Sequence, residues 1–261
     1  MSVTKGITYF ILAIVLLLVA RHVMVLCHEW THGTVAWISG YKDSPFAIYY
    51  GDWTLLHVDE DVDYGRIMAD GKGWLVSLIA SSALVTNTLL FLLSTFLLSG
   101  CSARWPWPAR LFVFWFGVVN IAELFSYVPM RVFFSGDIRN FVTGLNISPW
   151  LVLVPGTILV GFGLSRVFGH DLPLVIRTTG LSGRVWQRLF LGVLMFAVFW
   201  FYGGGLDAFF PWENSPGFQA WVTFSAVLGV AMYFVCDRYC LRPPYGWDNG
   251  LWLKKVPRCR S

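Results

Sequence analysis

The sequence predicts an all-α fold: a polytopic membrane helix bundle of about six transmembrane helices, with a small β-hairpin between helices one and two. Three observations carry this. Hydrophobic residues make up 56% of the 261 positions and charged residues 13%, about half the roughly 25% charge of a soluble domain. Six segments each supply about 20 mainly apolar residues, the length needed to cross the hydrocarbon. Fourteen Trp, ten Tyr and 22 Phe suit aromatic belts at the lipid interface. The composition argues against a soluble enzyme and excludes a disordered chain. A net charge of +4, spread along the chain, gives no footprint for nucleic acid. The five Cys show no CxxC pair, so no zinc knuckle is predicted and no disulfide is assigned.

The first predicted helix starts at Gly6 and runs through ITYFILAIVLLLVA and Arg21 into HVMVLCHEWTHGTVAWISG. No small-residue cleavage site follows the apolar run, so it reads as a spanning helix and not as a signal peptide. The second helix lies in Gly73–Leu98, the third from near Leu111 to near Pro129, and the fourth from about Pro149 to Ser165. The fifth covers about Trp186–Leu206 and the sixth about Phe218–Cys236. Between helices one and two, residues Tyr41–Lys72 form the largest polar stretch. Two β-prone runs flank a Gly-Asp turn there, which predicts a hairpin over Phe46–Leu56. The DEDVD cluster that follows is expected to face solvent. The tail from Asp237 is basic, rich in Pro and Gly, and expected at the surface.

The chemistry is concentrated in His28-Glu29-Trp30-Thr31-His32. Residues i and i+4 share a helical face, so both imidazoles can reach one Zn²⁺. Glu29, one residue on, is placed to exchange protons as a general base and acid and not to ligate. Ionisable groups inside membrane helices usually face a bundle interior and serve function. Two His are too few for a catalytic zinc, which takes three protein ligands. His57, Glu123, Asp137, His170 and Asp207 are the candidates for the third. Asp137 follows Pro129 and Gly136, which can turn the chain back toward the bundle. Glu123 lies inside helix three, where it can bind the metal or pair with Arg21 or Arg131. His170 falls on the opposite predicted side. His22 lies on a different helical face from His28 and reads as a packing residue.

These motifs resemble the site-2 protease family of intramembrane zinc metalloproteases (peptidase family M50). SSALVTNTLLFLL, with Asn87, resembles the family's second core helix. NIAELFSYVPMRVFFSGDIRNF resembles its third, with Asn120, Pro129 and Asp137 at the family's Asn, Pro and Asp. Gly136-Asp137 inverts the usual Asp-Gly order, and the Asn-to-Asp stretch is longer than usual. The resemblance implies one Zn²⁺ per chain held by His28, His32 and Asp137, with Glu29 catalytic. It implies peptide hydrolysis in or near the transmembrane region of membrane-protein substrates. Asn120 and Asn87 would offer amides to an unwound substrate backbone; ordinary helix-to-helix hydrogen bonding is the alternative for each. The hairpin would offer an edge to an extended substrate.

Residues 1–145 are thus expected to form a protease-like core, and 146–261 accessory helices and a basic tail. Thirteen Lys and Arg fall on one predicted side against five on the other, which puts both termini in the cytoplasm. The lipid bilayer and a membrane-anchored substrate are the expected partners. The alternative reading is a membrane-embedded metal-binding scaffold or chaperone without proteolytic turnover. Metal transport is disfavoured, because helices four to six carry few charges to line a path.

Overall fold

The computed structural model describes residues 2–51, 58–100, 105–132, 135–205 and 215–241. Six helices are long and apolar enough to cross a membrane: Val3–Ile38, Gly73–Gly100, Trp107–Pro129, Trp150–Thr178, Arg184–Gly204 and Pro216–Tyr239. In chain order the elements are α1 (Val3–Ile38), α2 (Tyr64–Ala69), α3 (Gly73–Gly100), α4 (Trp107–Met130) and α5 (Asp137–Leu145). Then come α6 (Trp150–Arg166), α7 (Leu172–Thr178), α8 (Arg184–Met195) and α9 (Pro216–Tyr239). A π-helical turn, Val167–Asp171, joins α6 to α7, and a second, Phe196–Gly205, extends α8. The fourth span therefore runs on past Ser165. Exposed apolar side chains such as Ile7, Ile11 and Leu18 on α1, and Val227, Val230 and Phe234 on α9, suit a lipid surround. Exposed apolar surface on this scale marks a membrane or protein contact.

The predicted hairpin is not seen among the described residues; the second half of the segment expected to form it, 52–56, lies outside them. No β-strand occurs among the described residues; one isolated antiparallel bridge, Tyr49 with Asp59, is the extent of the pairing. Lys42 instead gathers the backbone on either side of the bridge. Its Nζ donates to the carbonyls of Ala47 at 2.6 Å, Glu60 at 2.5 Å and Asp61 at 3.0 Å. A side-chain cation satisfies backbone acceptors that a ladder would otherwise use. The Asp59 carboxylate accepts from the Asp61 amide at 2.7 Å, and Asp61 takes a positive φ of 52°. Both features curl the chain away from an extended partner.

The contacts divide the chain into two compact units. One holds residues 21–90 and 123–161 and contains the HExxH turn. Its core is Ala36, Ile67, Leu75, Val76 and Ile79, with Val35, Tyr41, Val62 and Tyr64 packed against it. Asp63 caps α2, its side chain accepting from the Arg66 amide at 2.9 Å. α3 and α5 pack backbone to backbone: a Cβ on Gly73 or Gly144 would strike the other's carbonyl. The Ser77 hydroxyl ties the pair by donating to the Phe141 carbonyl at 2.7 Å.

The second unit holds the described residues of 1–20, 91–122 and 162–261. Tyr9 stacks on Trp107 with centroids 5.2 Å apart, and its hydroxyl meets Thr179 Oγ1 at 2.9 Å. Trp115 and Phe114 pack on Phe190. Arg188 makes a bidentate pair with Asp237, at 2.8 and 2.7 Å, the arrangement that best matches a guanidinium to a carboxylate.

Candidate metal centre

α1 is continuous through the HExxH turn, so His28 and His32 project from one face. Their ring centroids lie 4.9 Å apart. The third member arrives from a different element. α4 runs through Pro129 and ends at Met130. Gly136 then adopts φ 127°, ψ −174°, a conformation essentially confined to glycine. This aims the next residue, Asp137, the first of α5, at the two rings.

Asp137 Oδ2 lies 3.2 Å from His28 Nε2 and 3.1 Å from His32 Nε2, and the two nitrogens are 3.3 Å apart. All three residues are buried, His32 completely. Among the described residues, this is the group of three His, Cys, Asp or Glu side chains whose ligand atoms converge closely enough to hold a metal ion. The spacing suits a metal ion of the size of zinc. Bonds of about 2.0–2.1 Å in a tetrahedron put ligand atoms about 3.3–3.4 Å apart, close to the three separations here. The three ligand atoms thus lie on one side of a common centre where a metal ion could sit.

The donor chemistry agrees. His32 Nδ1 meets the Ile79 carbonyl at 2.8 Å. A carbonyl only accepts, so Nδ1 carries a hydrogen and Nε2 faces the centre. The Ser82 hydroxyl donates to the same carbonyl at 2.6 Å. On His28, Nδ1 meets Asn87 Nδ2 at 3.1 Å, and the Tyr127 ring lies alongside at 5.5 Å. The Arg131 guanidinium lies over the same tyrosine, 4.5 Å from its centroid. Burial alone would raise the Asp137 carboxyl, but the adjacent His32 and His28 imidazoles outweigh it and hold the group well below the usual carboxylate range. It therefore offers a charged oxygen.

Glu29 is buried beside the triad, and its Oε2 has no hydrogen-bond partner among the described residues. It stands outside the ligand group. Glu123 also stands outside it, within electrostatic reach of His28, Arg131 and Arg21. His170 turns to Asp171, with Nδ1 2.8 Å from Oδ1. His57 and Asp207 lie outside the described residues. Asn120 is fully buried in α4, its Nδ2 donating to the Phe116 carbonyl at 2.7 Å and its Oδ1 unpartnered among the described residues.

Two site neighbours were not legible in the sequence. Glu60, in the acidic cluster expected to face solvent, is half-buried and within electrostatic reach of Glu29 and His32. Tyr64, at the start of α2, is pushed far above the ordinary phenol range by burial and then by Glu60, so its hydroxyl keeps its proton. Asp59, Asp61 and Asp63 are exposed as expected. An Asp/Glu-rich string carries no local signal that one member turns inward.

Helices and site together define a polytopic helical membrane protein with a buried His-His-Asp cluster able to coordinate a metal ion. No protein-family model, no curated protein and no solved structure matches the chain.

Proposed function

We propose that this chain is an intramembrane zinc metalloprotease of the site-2 protease type. It hydrolyses peptide bonds in or near the transmembrane region of membrane-protein substrates. The observation that carries the reading is the convergence of His28, His32 and Asp137 beside a buried, unligated Glu29 on an apolar helix.

In this reading His28, His32 and Asp137 hold one Zn²⁺, which when bound supplies a Lewis acid and lowers the pKa of a water. Glu29 accepts the proton that water loses during attack on the scissile carbonyl. It then delivers that proton to the departing amide nitrogen. The Ile79 carbonyl keeps His32 in the tautomer that presents Nε2. Burial of the cluster excludes bulk water, which strengthens each charge interaction. Asn120 contributes an amide to the locally unwound substrate backbone, which must expose its own polar groups to be cut. Residues 1–145 carry this chemistry and 146–261 are accessory. Both termini lie in the cytoplasm, following the Lys and Arg distribution.

The test is cleavage of a membrane-anchored reporter substrate by purified protein in lipid. Glu29→Gln should keep zinc and the fold while losing turnover by at least about 100-fold, the usual weight of a general base. Undiminished turnover in that variant would end the protease reading. Stoichiometric zinc with no turnover by the wild type on any membrane-anchored substrate would leave the scaffold reading instead.

A further inference from the structure

We propose that Asn87 is a positioning residue that selects which ring nitrogen of His28 faces the metal, its carboxamide turning through 180° between donor and acceptor at Nδ1. The proposal rests on the reading of His28 as a metal ligand.

Asn87 is fully buried in α3, in a stretch otherwise made of apolar and hydroxyl residues. Its Nδ2 lies 3.1 Å from His28 Nδ1, with Met24 Sδ as a distant second contact at 4.0 Å. Its Oδ1 is buried and has no hydrogen-bond partner among the described residues. With the amide in this orientation, Nδ2 donates and Nδ1 accepts. The hydrogen of the neutral imidazole then sits on Nε2, directed at Asp137 Oδ2 at 3.2 Å and His32 Nε2 at 3.3 Å. That arrangement is self-consistent for the protein without metal: one N–H is shared between two acceptors.

A metal requires the opposite tautomer. Nε2 must offer its lone pair, so the hydrogen must sit on Nδ1 and needs an acceptor there. The unpartnered Asn87 Oδ1 is that acceptor. An amide exchanges its oxygen and nitrogen by a half-turn within almost the same volume, so the buried helix packing need not change. His32 has no such freedom. Its Nδ1 faces the Ile79 carbonyl, which accepts in every state. One ligand is therefore set permanently by backbone and the other by a side chain with two usable faces.

The experiment uses the full chain in lipid with ¹⁵N-labelled histidine, the His28 signals being assigned by their loss in His28→Gln. Ring-nitrogen spectra of the wild type should show His28 with Nε2–H before zinc is added and Nδ1–H afterwards. Zinc affinity is read by chelator competition. Asn87→Leu, similar in size and without a polar group, should weaken it about 10- to 100-fold. Asn87→Asp, an acceptor only, should hold it within a few-fold of wild type and show Nδ1–H even without zinc. Equal affinity in wild type and Asn87→Leu would overturn this inference while leaving the metal site intact. So would equal losses in the Leu and Asp variants, which would signify packing alone. If Asn87→Leu fails to fold, the wild-type spectra still decide, because Nδ1–H in both states, or Nε2–H in both, refutes the switch. A wild type that binds no zinc at all would overturn the metal reading itself, and this inference with it.

Discussion

Gly136 is where backbone conformation and metal binding meet, so Gly136→Ala is the most informative single change. At φ 127°, ψ −174° any side chain is strained, at about 1–3 kcal/mol for a residue held in such a region. The new Cβ would also stand 3.0 Å from Arg131 Cδ and 3.4 Å from its Nη1, contacts a flexible arginine can yield to. The backbone strain is then the larger effect. The chain can relieve it by rotating φ, which swings Asp137 away from the two imidazoles. At about 1.4 kcal/mol per tenfold, the variant should bind zinc about 5- to 150-fold more weakly. It should also lose some stability without metal. Chelator competition reads the first effect and thermal unfolding in detergent the second. Gly71→Ala is the matched control: its φ is +72° and a Cβ there meets nothing within 4 Å. It should cost about 1–2 kcal/mol of stability and leave zinc affinity unchanged. Wild-type zinc affinity in Gly136→Ala would refute the argument that this glycine aims the carboxylate.

Three further outcomes are expected. Asp137→Ala should reduce zinc affinity by orders of magnitude while Glu123→Gln spares it; zinc lost from the second and kept by the first would move the ligand to α4. Elemental analysis should find near-stoichiometric zinc in the wild type and a sharp fall in His28→Ala and His32→Ala, whereas full occupancy of both would remove the site from α1. Cysteine-accessibility labelling from outside should reach the Tyr41–Lys72 loop and miss the C-terminal tail; the reverse pattern would show that the charge count had misdirected the topology.

The spans were legible because length and apolarity are local properties. Each of the six predicted segments lies largely within a long apolar helix, with ends that differ most at the fourth. There the helix continues from Ser165 to Thr178 through a π turn, which no hydrophobic period announces. The His28 and His32 pairing was legible because i, i+4 fixes a shared face before any tertiary contact forms. The hairpin failed for the opposite reason. β-prone residues describe a preference, and Lys42, several residues away, decides where the carbonyls of Ala47, Glu60 and Asp61 find their donor. Asn87 was visible as a polar residue in an apolar helix, but its partner depends on how α3 registers against α1. That register is set by packing such as Ile79 against Ala36, not by spacing along the chain.

The polar groups of the centre also bear on why a cation belongs there. Three acceptor atoms within 3.1–3.3 Å of one another repel unless protons or a metal lie between them. Two further carboxyl groups stand close: Glu29 is buried at the same turn, and Glu60 reaches both Glu29 and His32 electrostatically. Arg131 lies over the Tyr127 ring. Removing such groups from water costs several kcal/mol each unless they are compensated. In the proposed reading a divalent ion would compensate the Asp137 carboxylate, and Glu29 stands outside the ligand group. A scaffold role would require only the three ligands, and Leu in place of Glu29 would serve it with less desolvation. The Glu29 carboxyl, with an oxygen that no described residue engages, is the feature that the protease reading uses and the scaffold reading does not.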